Sequence, residues 1–263
     1  MDDKDFALDA VTLGESMALL AAQECGPLAG VEHFTRLLAG AETNVAIGLA
    51  RLGLRVGWLS RLGQDAFGEF VLNAVRREGV DTSRVARDAT RSTGFMLKSR
   101  TDDGSDPAID YYRRNSAASA MSRADFDKAW FGGARHLHMT GISPALSAGC
   151  AELVEHAMRW MRGQGRTVSF DPNLRPRLWP SPEAMRHHLQ RLAALADWVL
   201  PGLAEGQLLG RQALERGAGQ PQVFQDGGRA AEGQHPAHLH HRVARAQRQQ
   251  ARDIGGGAHA PAF

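Results

Sequence analysis

The sequence has 263 residues, of which 43% are hydrophobic and 23% charged, an ordinary globular composition with enough length for a sizeable core. Its 31 Lys and Arg against 29 Asp and Glu give a net charge of +2, which argues against a dedicated nucleic-acid or membrane-surface protein. Two cysteines exclude a disulfide framework, the acidic start lacks the features of a signal peptide, and no apolar run reaches the roughly 18 residues of a membrane span, so we expect a cytoplasmic protein.

Short apolar strands alternate with amphipathic helices along the first 210 residues. The predicted strands lie at 10–13, 55–59, 93–99, 108–113, 136–139, 167–170 and 198–200. The predicted helices lie at 43–52, 67–79, 150–161 and 181–192. Because strands alternate with helices of about 10–15 residues, the pattern predicts an α/β fold with a mainly parallel sheet.

In a sheet of this kind, ligands bind where the strands end, so polar or glycine-rich segments after strands are the candidate sites. No G-x-G-x-x-G follows the first strand, and the sequence contains no G-x-x-x-x-G-K-[ST]. Both absences argue against a dinucleotide-dependent dehydrogenase and a P-loop protein.

The first candidate segment is Ala39-Gly40-Ala41-Glu42-Thr43-Asn44, which opens a predicted helix. Small residues let backbone N–H groups approach a ligand, and Asn44 offers both a donor and an acceptor. A glycine turn with a helix cap explains the same letters equally well. The segment 61–68, which follows the next strand, has the same two interpretations: a ligand loop or a capped turn.

Tyr111 and Arg113 lie two positions apart at the end of a predicted strand and so share one face. A phenol and a guanidinium on one face can bind a sugar hydroxyl and a carboxylate. The alternative is a solvated strand edge.

Asp171, Asn173 and Arg175 follow a buried strand, in a loop stiffened by prolines at 172 and 176. The alternative to a binding site is an Asx-turn that joins strand to loop. Glu205 follows the next strand and is suited either to a hydrated Mg²⁺ or to satisfying a helix N-terminus.

The histidines predict no metal site. His136 and His138 alternate on a strand but lack a third ligand, so we interpret them as structural. A second group lies in a polar, arginine-rich segment that we interpret as disordered: His235, His238, His240 and His241.

Taken in order, these segments resemble the ribokinase/PfkB family of carbohydrate kinases, and within it the 2-keto-3-deoxygluconate (2-dehydro-3-deoxygluconate) kinases. The resemblance covers about residues 9–210 and rests on segments 13–15, 39–44, 62–68, 111–120, 140–142 and 170–175. It implies a ribokinase-like fold, in which helices flank a central, mainly parallel sheet and a small β-sheet lid is made near 16–22, 93–99 and 108–114. It also implies ATP- and Mg²⁺-dependent phosphorylation of a hydroxyl of 2-keto-3-deoxygluconate or a similar sugar acid.

The resemblance also implies roles for single residues. The residues that would bind substrate are Gly40, Ala41, Asn44, Tyr111, Arg113 and Arg175, the last three through hydroxyls and carboxylate. The residues associated with phosphate and Mg²⁺ are Asp171, Asn173 and Glu205. Gly202 departs from the Asn that is frequent near this point in the wider family. The implied partner is a small-molecule sugar acid, with no nucleic acid or membrane, and lid strands in this family often pair into homo-oligomers.

The resemblance ends at about Gly210. The family has a Gly-Ala-Gly-Asp motif near its C-terminus, whose amides bind the transferring phosphate and whose aspartate accepts the hydroxyl proton. This sequence has no such motif, so we predict no catalytic base and only background turnover.

Residues 211–263 have a composition of their own. They carry seven Arg against four acids and only seven Leu, Ile, Val or Phe, which predicts a disordered tail unrelated to the family. The abrupt change is the pattern of a shifted reading frame, with the C-terminal part of the kinase missing. The alternatives are a non-catalytic module that binds a sugar acid, and a kinase for another sugar such as fructose, ribose or a nucleoside.

Overall fold

The computed structural model describes residues 6–209 and 222–223. Within this part of the chain the central sheet contains β1 (Ala10–Leu13), β4 (Val56–Gly63), β5 (Asp81–Asp88), β8 (His136–Thr140), β9 (Thr167–Asp171), β10 (Trp198–Val199) and β11 (Gln222–Val223). A second sheet contains β2 (Met17–Cys25), β3 (Phe34–Ala39), β6 (Phe95–Arg100) and β7 (Ile109–Tyr112). The helices are α1 (Ala41–Arg51), α2 (Ala66–Arg77), α3 (Lys128–Gly132), α4 (Ala148–Gly163), α5 (Pro182–Ala193) and α6 (Leu203–Leu209).

Every pairing in the central sheet is parallel, in the order β11-β10-β9-β8-β1-β4-β5. The chain first winds from β1 towards β4 and β5, and later places β8 on the other side of β1. The strand order therefore reverses at β1, and the crevice beyond the carboxyl ends of β1, β4 and β8 is where a ligand of such a sheet binds.

Alternating strand residues supply two separate cores, one on each face of the sheet. Val11, Leu137 and Phe170 pack with α4 and α5 in the larger core. Ala10 and Trp58 point to the other face and pack with α1 and α2. Both faces are covered by helices, so the strands are almost continuously apolar, as buried parallel strands require.

The second sheet is the lid, a mixed sheet with the order β3-β2-β6-β7. β2 pairs antiparallel with β3 and parallel with β6, and β6 pairs antiparallel with β7. Tyr112 stacks on Phe95, with ring centroids 4.6 Å apart, which fixes β7 against β6. The predicted α/β architecture with a small β-sheet lid is confirmed.

Sequence patterns located most elements. The structure confirms the predicted strand at 10–13, and α5 begins at Pro182 with the Ser181 hydroxyl accepting from the Ala184 amide at 3.1 Å. Within the first 210 residues, the strands β3 and β5 were not predicted. Each lies at the edge of its sheet and has few buried side chains, so neither carries the apolar run or alternation that marks a strand.

His136 and His138 are structural, as predicted. Both are buried and both contact the Ser169 hydroxyl, at 2.8 and 2.9 Å, while His136 also contacts the Thr167 hydroxyl at 2.8 Å. The helices that the structure describes include none long and apolar enough to cross a membrane. The prediction of a disordered segment at 211–263 is wrong at Gln222–Val223, which form β11 and pair parallel with β10. The rest of that segment, including its histidines, lies outside the described residues.

Candidate functional site

The site is built around a buried carboxylate that the first turn of α1 carries to the carboxyl end of β8. Glu42 Oε1 accepts hydrogen bonds from the Thr140 hydroxyl at 2.8 Å and the Ser143 hydroxyl at 2.6 Å. Gly14 lies against this carboxylate, and a Cβ there would overlap both Glu42 and the Ser143 hydroxyl. The ends of β1 and β8 and the start of α1 therefore meet at one point.

Burial raises the pKa of Glu42, and the hydrogen bonds from Ser143 and Thr140 oppose that rise. The second carboxylate oxygen, Oε2, is buried and has no hydrogen-bond partner among the residues that the structure describes. A buried polar atom without a protein partner costs stability unless a water or a ligand satisfies it, so Oε2 is a place where a bound polar group would be stabilising.

Asp171 ends β9 beside this point. Burial, followed by the charge of Glu205, raises the pKa of Asp171 to about 7, and the charge of Glu42 acts in the same direction. The Asn173 backbone N–H donates to Asp171 Oδ1 at 3.0 Å, which is the Asx-turn that the sequence offered as the structural alternative. Asn173 itself takes a left-handed φ of 40°. A carboxyl that titrates near neutrality is suited to exchange a proton or to respond to a bound cation.

The loops after β8 and β9 are in direct contact. A Cβ at Gly141 would overlap the Pro172 carbonyl oxygen, so only glycine permits this approach. Arg175 lies just beyond, exposed, with its guanidinium donating to the Leu174 carbonyl at 2.8 Å. Its charge still lowers the pKa of Asp171, against the effect of burial, which places Arg175 at the rim of the same site.

Glu205 performs the structural role that the sequence left open. Its Oε2 accepts from the Gly202 amide at 3.0 Å at the start of α6, and its Oε1 accepts from the Leu174 amide at 2.8 Å. The carboxylate therefore joins the N-terminus of α6 to the loop after β9. Each carboxylate oxygen of Glu205 accepts one of these hydrogen bonds and has a second lone pair with which it can bind another donor or a cation.

The lid closes the other side of the site through Arg113, which follows β7. Its side chain is 10% exposed, and its guanidinium forms an ion pair with Glu15, which lies between β1 and β2. It also lies 5.8 Å from the centre of the half-exposed Tyr111 ring, so the two residues share one face as predicted. The charge of Arg113 lowers the pKa of Glu42 against the larger effect of burial, so the guanidinium and the buried carboxylate belong to one electrostatic environment.

Gly40 directly precedes α1, where a Cβ would overlap the Thr43 hydroxyl and lie 2.9 Å from the Glu15 carbonyl oxygen. Ala41 and Asn44 follow in the first turn and are half-buried. The segment 61–68 is a capped turn in the structure, because Asp65 caps the N-terminus of α2. Its Oδ1 accepts from the Gly68 amide and its Oδ2 from the Thr93 amide, both at 2.7 Å. That second bond joins α2 to the entry of lid strand β6.

Sequence reasoning missed the buried polar residues that hold the site together, namely Glu15, Glu42, Ser116, Thr140 and Ser143. The signal for Glu42 was an acid in a first helical turn, but the helix dipole alone accounts for an acid there. Its partners lie about a hundred residues away in sequence, where no local pattern reports them.

Two further observations bound the site. Among the described residues, no group of three or more His, Cys, Asp and Glu side chains is arranged to hold a metal ion. A cavity of about 460 Å³ lies between α3 and α4, and its lining includes Lys128, Trp160, Gln164 and Arg166. None of its lining residues belongs to the site around Glu42 and Asp171.

Comparison with known proteins gives one consistent result. The sequence pattern of the pfkB family carbohydrate kinases matches residues 7–226. The chain is 53% identical over 203 residues to the 2-dehydro-3-deoxygluconokinase of Bacillus subtilis (strain 168), covering 77% of this chain and 62% of that protein. The chain thus spans about three-fifths of the length of this relative.

Solved structures of sugar kinases have the same fold as this chain. The crystal structure of a PfkB protein from Polaromonas sp. JS666 superposes with a TM-score of 0.76 at 48% identity, covering 92% of this chain and 74% of that one. A sugar kinase from Pyrococcus horikoshii, solved in complex with ATP, superposes with a TM-score of 0.71 at 28% identity, covering 77% of this chain and 66% of that one.

Proposed function

The chain belongs to the pfkB family of carbohydrate kinases, and from this we propose that it carries the sugar-binding part of an ATP-dependent kinase for 2-keto-3-deoxygluconate or a closely related sugar acid. One observation carries the proposal: Arg113 from the lid pairs with Glu15, whose backbone carbonyl lies against Gly40 at the start of α1. Arg175 follows in the loop after β9, next to Leu174, whose amide donates to Glu205. Arginines from the lid and from this loop thus lie beside the carboxyls at the strand ends, on which their charges act, and guanidinium groups so placed can bind hydroxyls and a carboxylate.

In this proposal the sugar lies between the start of α1 and the lid. Gly40, Ala41 and Asn44 contact it from the body, and Tyr111 and Arg113 contact it from the lid. Arg175 is exposed, and its guanidinium donates to the carbonyl of its neighbour Leu174, a bond that it can exchange for one with a substrate carboxylate.

ATP and Mg²⁺ are the proposed cofactors, in line with the ATP complex of the Pyrococcus horikoshii kinase. Mg²⁺ is commonly bound by one or two protein carboxylates together with substrate phosphates, so a dedicated group of three ligands is not required. Asp171 and Glu205 supply carboxylates close enough for one charge to act on the other, and Asn173 adds an amide. These residues fit a cation that is bound mainly by nucleotide phosphate.

The chain contains no Gly-Ala-Gly-Asp sequence, so we propose that it binds substrate but turns it over at background rate. Phosphoryl transfer depends on positioned donors for the phosphate and a base for the hydroxyl, and neither is supplied by the described residues. We retain the division into a kinase body at 1–210 and a segment of different composition at 211–263 as part of this proposal, while the family pattern and strand β11 extend the likeness to the kinases as far as residue 226. Reading the gene in the other two frames past codon 210 tests it, since one frame should encode a strand, a turn and Gly-Ala-Gly-Asp.

Because the chain has no Gly-Ala-Gly-Asp sequence, a non-catalytic module that binds a sugar acid is the second candidate function. Calorimetry on the purified chain separates the candidates, with 2-keto-3-deoxygluconate, fructose, ribose and ATP as ligands and ADP release as the assay of turnover. Sugar-acid binding without turnover, and weak binding of the neutral sugars, is the expected result for this chain. Equal affinity for fructose would assign a different sugar, and no binding of the sugar acid would overturn the proposal.

We propose that the lid also mediates association of two copies, in a cytoplasmic protein that binds neither nucleic acid nor membrane. Leu37 on β3 is 45% exposed and Tyr112 on β7 is 51% exposed, which leaves apolar surface on both edge strands of the lid. Light scattering should give a dimer, and Leu37→Lys should shift it to a monomer. A monomeric wild-type chain would contradict this assignment.

A further inference from the structure

Glu15 lies at the junction of the body and the lid and touches both. It follows β1 by two residues, precedes β2, and is 3% exposed. Its carboxylate pairs with Arg113 and accepts a hydrogen bond from the Ser116 hydroxyl through Oε1. Both partners follow β7, so a single carboxylate binds the residues at which the lid returns to the body.

The surrounding backbone is shaped to admit this carboxylate. A Cβ at Gly94, at the entry to β6, would lie 2.9 Å from Glu15 Oε1 and 3.3 Å from the Arg113 Cβ. Asn115 takes a left-handed φ of 57°, which turns the chain so that the Ser116 amide donates to the Arg113 carbonyl at 3.2 Å. Glycine at 94 and the turn at 115 therefore permit Arg113 and Ser116 to converge on Glu15.

Electrostatics makes the pairing necessary. An arginine side chain that is nine-tenths buried loses most of its hydration, and without a counter-charge it would swing out to solvent. Glu15 supplies the counter-charge while leaving part of the guanidinium unused: Nε is buried and has no hydrogen-bond partner among the described residues. Because Nε is enclosed by protein, a ligand oxygen meets this side chain at the tenth of its surface that stays exposed.

We propose that Glu15 is a positioning residue, which holds the Arg113 guanidinium in the orientation that binds the sugar acid. This inference rests on the proposed function, because it takes the sugar acid as the ligand of Arg113. Glu15 acts through Arg113 and makes no contact with substrate. Ser116 assists by fixing the Glu15 carboxylate.

A double-mutant cycle on binding tests the proposal. Affinity of the 263-residue chain for 2-keto-3-deoxygluconate is measured by calorimetry for wild type, Glu15→Gln, Arg113→Met and the double variant. Glu155→Gln is the matched control, because Glu155 also pairs with arginines, Arg159 and Arg191, but lies on α4. Melting temperatures of the same variants report on folding.

If Glu15 acts through Arg113, Glu15→Gln weakens binding about tenfold or more in the wild-type background and has no further effect in the Arg113→Met background. Glu155→Gln leaves affinity unchanged. A Glu15→Gln effect of equal size in both backgrounds would show a general structural role and overturn the proposal, as would unchanged affinity. If Glu15→Gln fails to fold, Ser116→Ala serves in its place. Its expected effect is an affinity about threefold weaker in the chain that keeps Arg113 and unchanged affinity in the Arg113→Met chain.

A second measurement separates this inference from the proposed function. The Arg113 side-chain Nε–H signal in ¹⁵N spectra of the free chain should be protected from solvent exchange in wild type and Glu155→Gln, and exchange rapidly in Glu15→Gln. If the wild type binds no sugar acid, the proposed function fails and the assigned ligand falls with it, whereas the signal still decides whether Glu15 positions Arg113. An Nε–H signal that is unaffected by Glu15→Gln overturns the positioning role.

Discussion

The carboxyl of Glu42, in the first turn of α1, lies close enough to Asp171 at the end of β9 for its charge to raise the pKa of Asp171. The contribution is added to the larger effects of burial and of the Glu205 charge. Carboxyls from three separate elements therefore share one electrostatic environment, and a change at one of them should be measurable at another.

Glu42→Gln removes the smallest of the named contributions that raise the pKa of Asp171, so we expect that pKa to fall slightly from about 7 while burial and the Glu205 charge keep it raised. The carboxyl carbon of Asp171, followed by ¹³C NMR across pH, measures the shift. Glu155→Gln, on the outer surface of α4, should leave the pKa of Asp171 unchanged. A pKa of Asp171 that is the same in Glu42→Gln and wild type would show that the two carboxyls are uncoupled.

His138 and Asp171 should affect the pH dependence of stability in opposite senses. Burial lowers the pKa of His138 to about 3, so the unfolded chain binds a proton that the folded chain excludes, and stability falls as pH falls below 6.5 towards 3. The raised pKa of Asp171, about 7, means that the folded chain keeps a proton that the unfolded chain releases, and stability falls as pH rises from 3.8 towards 7. Between roughly pH 4 and 6.5 the two slopes, each about 1.4 kcal/mol per pH unit, oppose each other.

Single variants should expose each slope. Relative to wild type, Asp171→Asn should lose stability more steeply as pH falls from 6.5, and His138→Gln should lose it more steeply as pH rises. The double variant should return to the wild-type slope. Urea denaturation at several pH values gives the free energies of unfolding, and parallel curves for all four proteins would refute the assignment.

Gly141→Ala should be strongly destabilising because its Cβ would overlap the Pro172 carbonyl oxygen and approach a Leu189 methyl group. Backbone must move to relieve the first overlap, so we expect a loss of about 2–4 kcal/mol in the free energy of unfolding. Gly163→Ala is the matched control, since no atom lies within 4 Å of the added methyl group at the end of α4. That change should be neutral or stabilise by up to about 1 kcal/mol. Similar melting temperatures for the two variants would disprove the steric account.

Arg175→Gln should weaken binding of the sugar acid about tenfold or more while leaving the melting temperature unchanged. The side chain is exposed and donates to the carbonyl of its own neighbour, Leu174, so the fold loses little when the charge is removed. Calorimetry with 2-keto-3-deoxygluconate and with fructose measures the effect. Equal losses for the acid and the neutral sugar would show that Arg175 does not contact the carboxylate.

The sequence predicts the layers of the fold better than the interior of the site. β1 was located because buried parallel strands are short apolar runs, and α5 because Ser181 and Pro182 mark a helix start. β3 and β5 escaped detection because an edge strand exposes much of its surface and keeps its charged residues.

Within the candidate site, the spacing of Tyr111 and Arg113 correctly predicted that they share one face, although Arg113 lies just beyond β7. Glu42 and Glu15 were not predicted, since their burial is created by Thr140, Ser143, Arg113 and Ser116, which only tertiary folding brings near. Glu205 illustrates a different difficulty. A glutamate in a first helical turn is compatible both with capping the helix and with binding a cation, and the local sequence pattern does not distinguish the two roles.

The two oxygens of Asp65 serve different parts of the molecule, one capping α2 and the other holding the amide of Thr93 where β6 begins. Any outward swing of the lid at this corner must give up the second bond or drag the first turn of the helix with it. Local opening of the lid base and fraying of α2 thus become one event, and the amides of Gly68 and Thr93 should exchange their hydrogens with deuterium at matched rates.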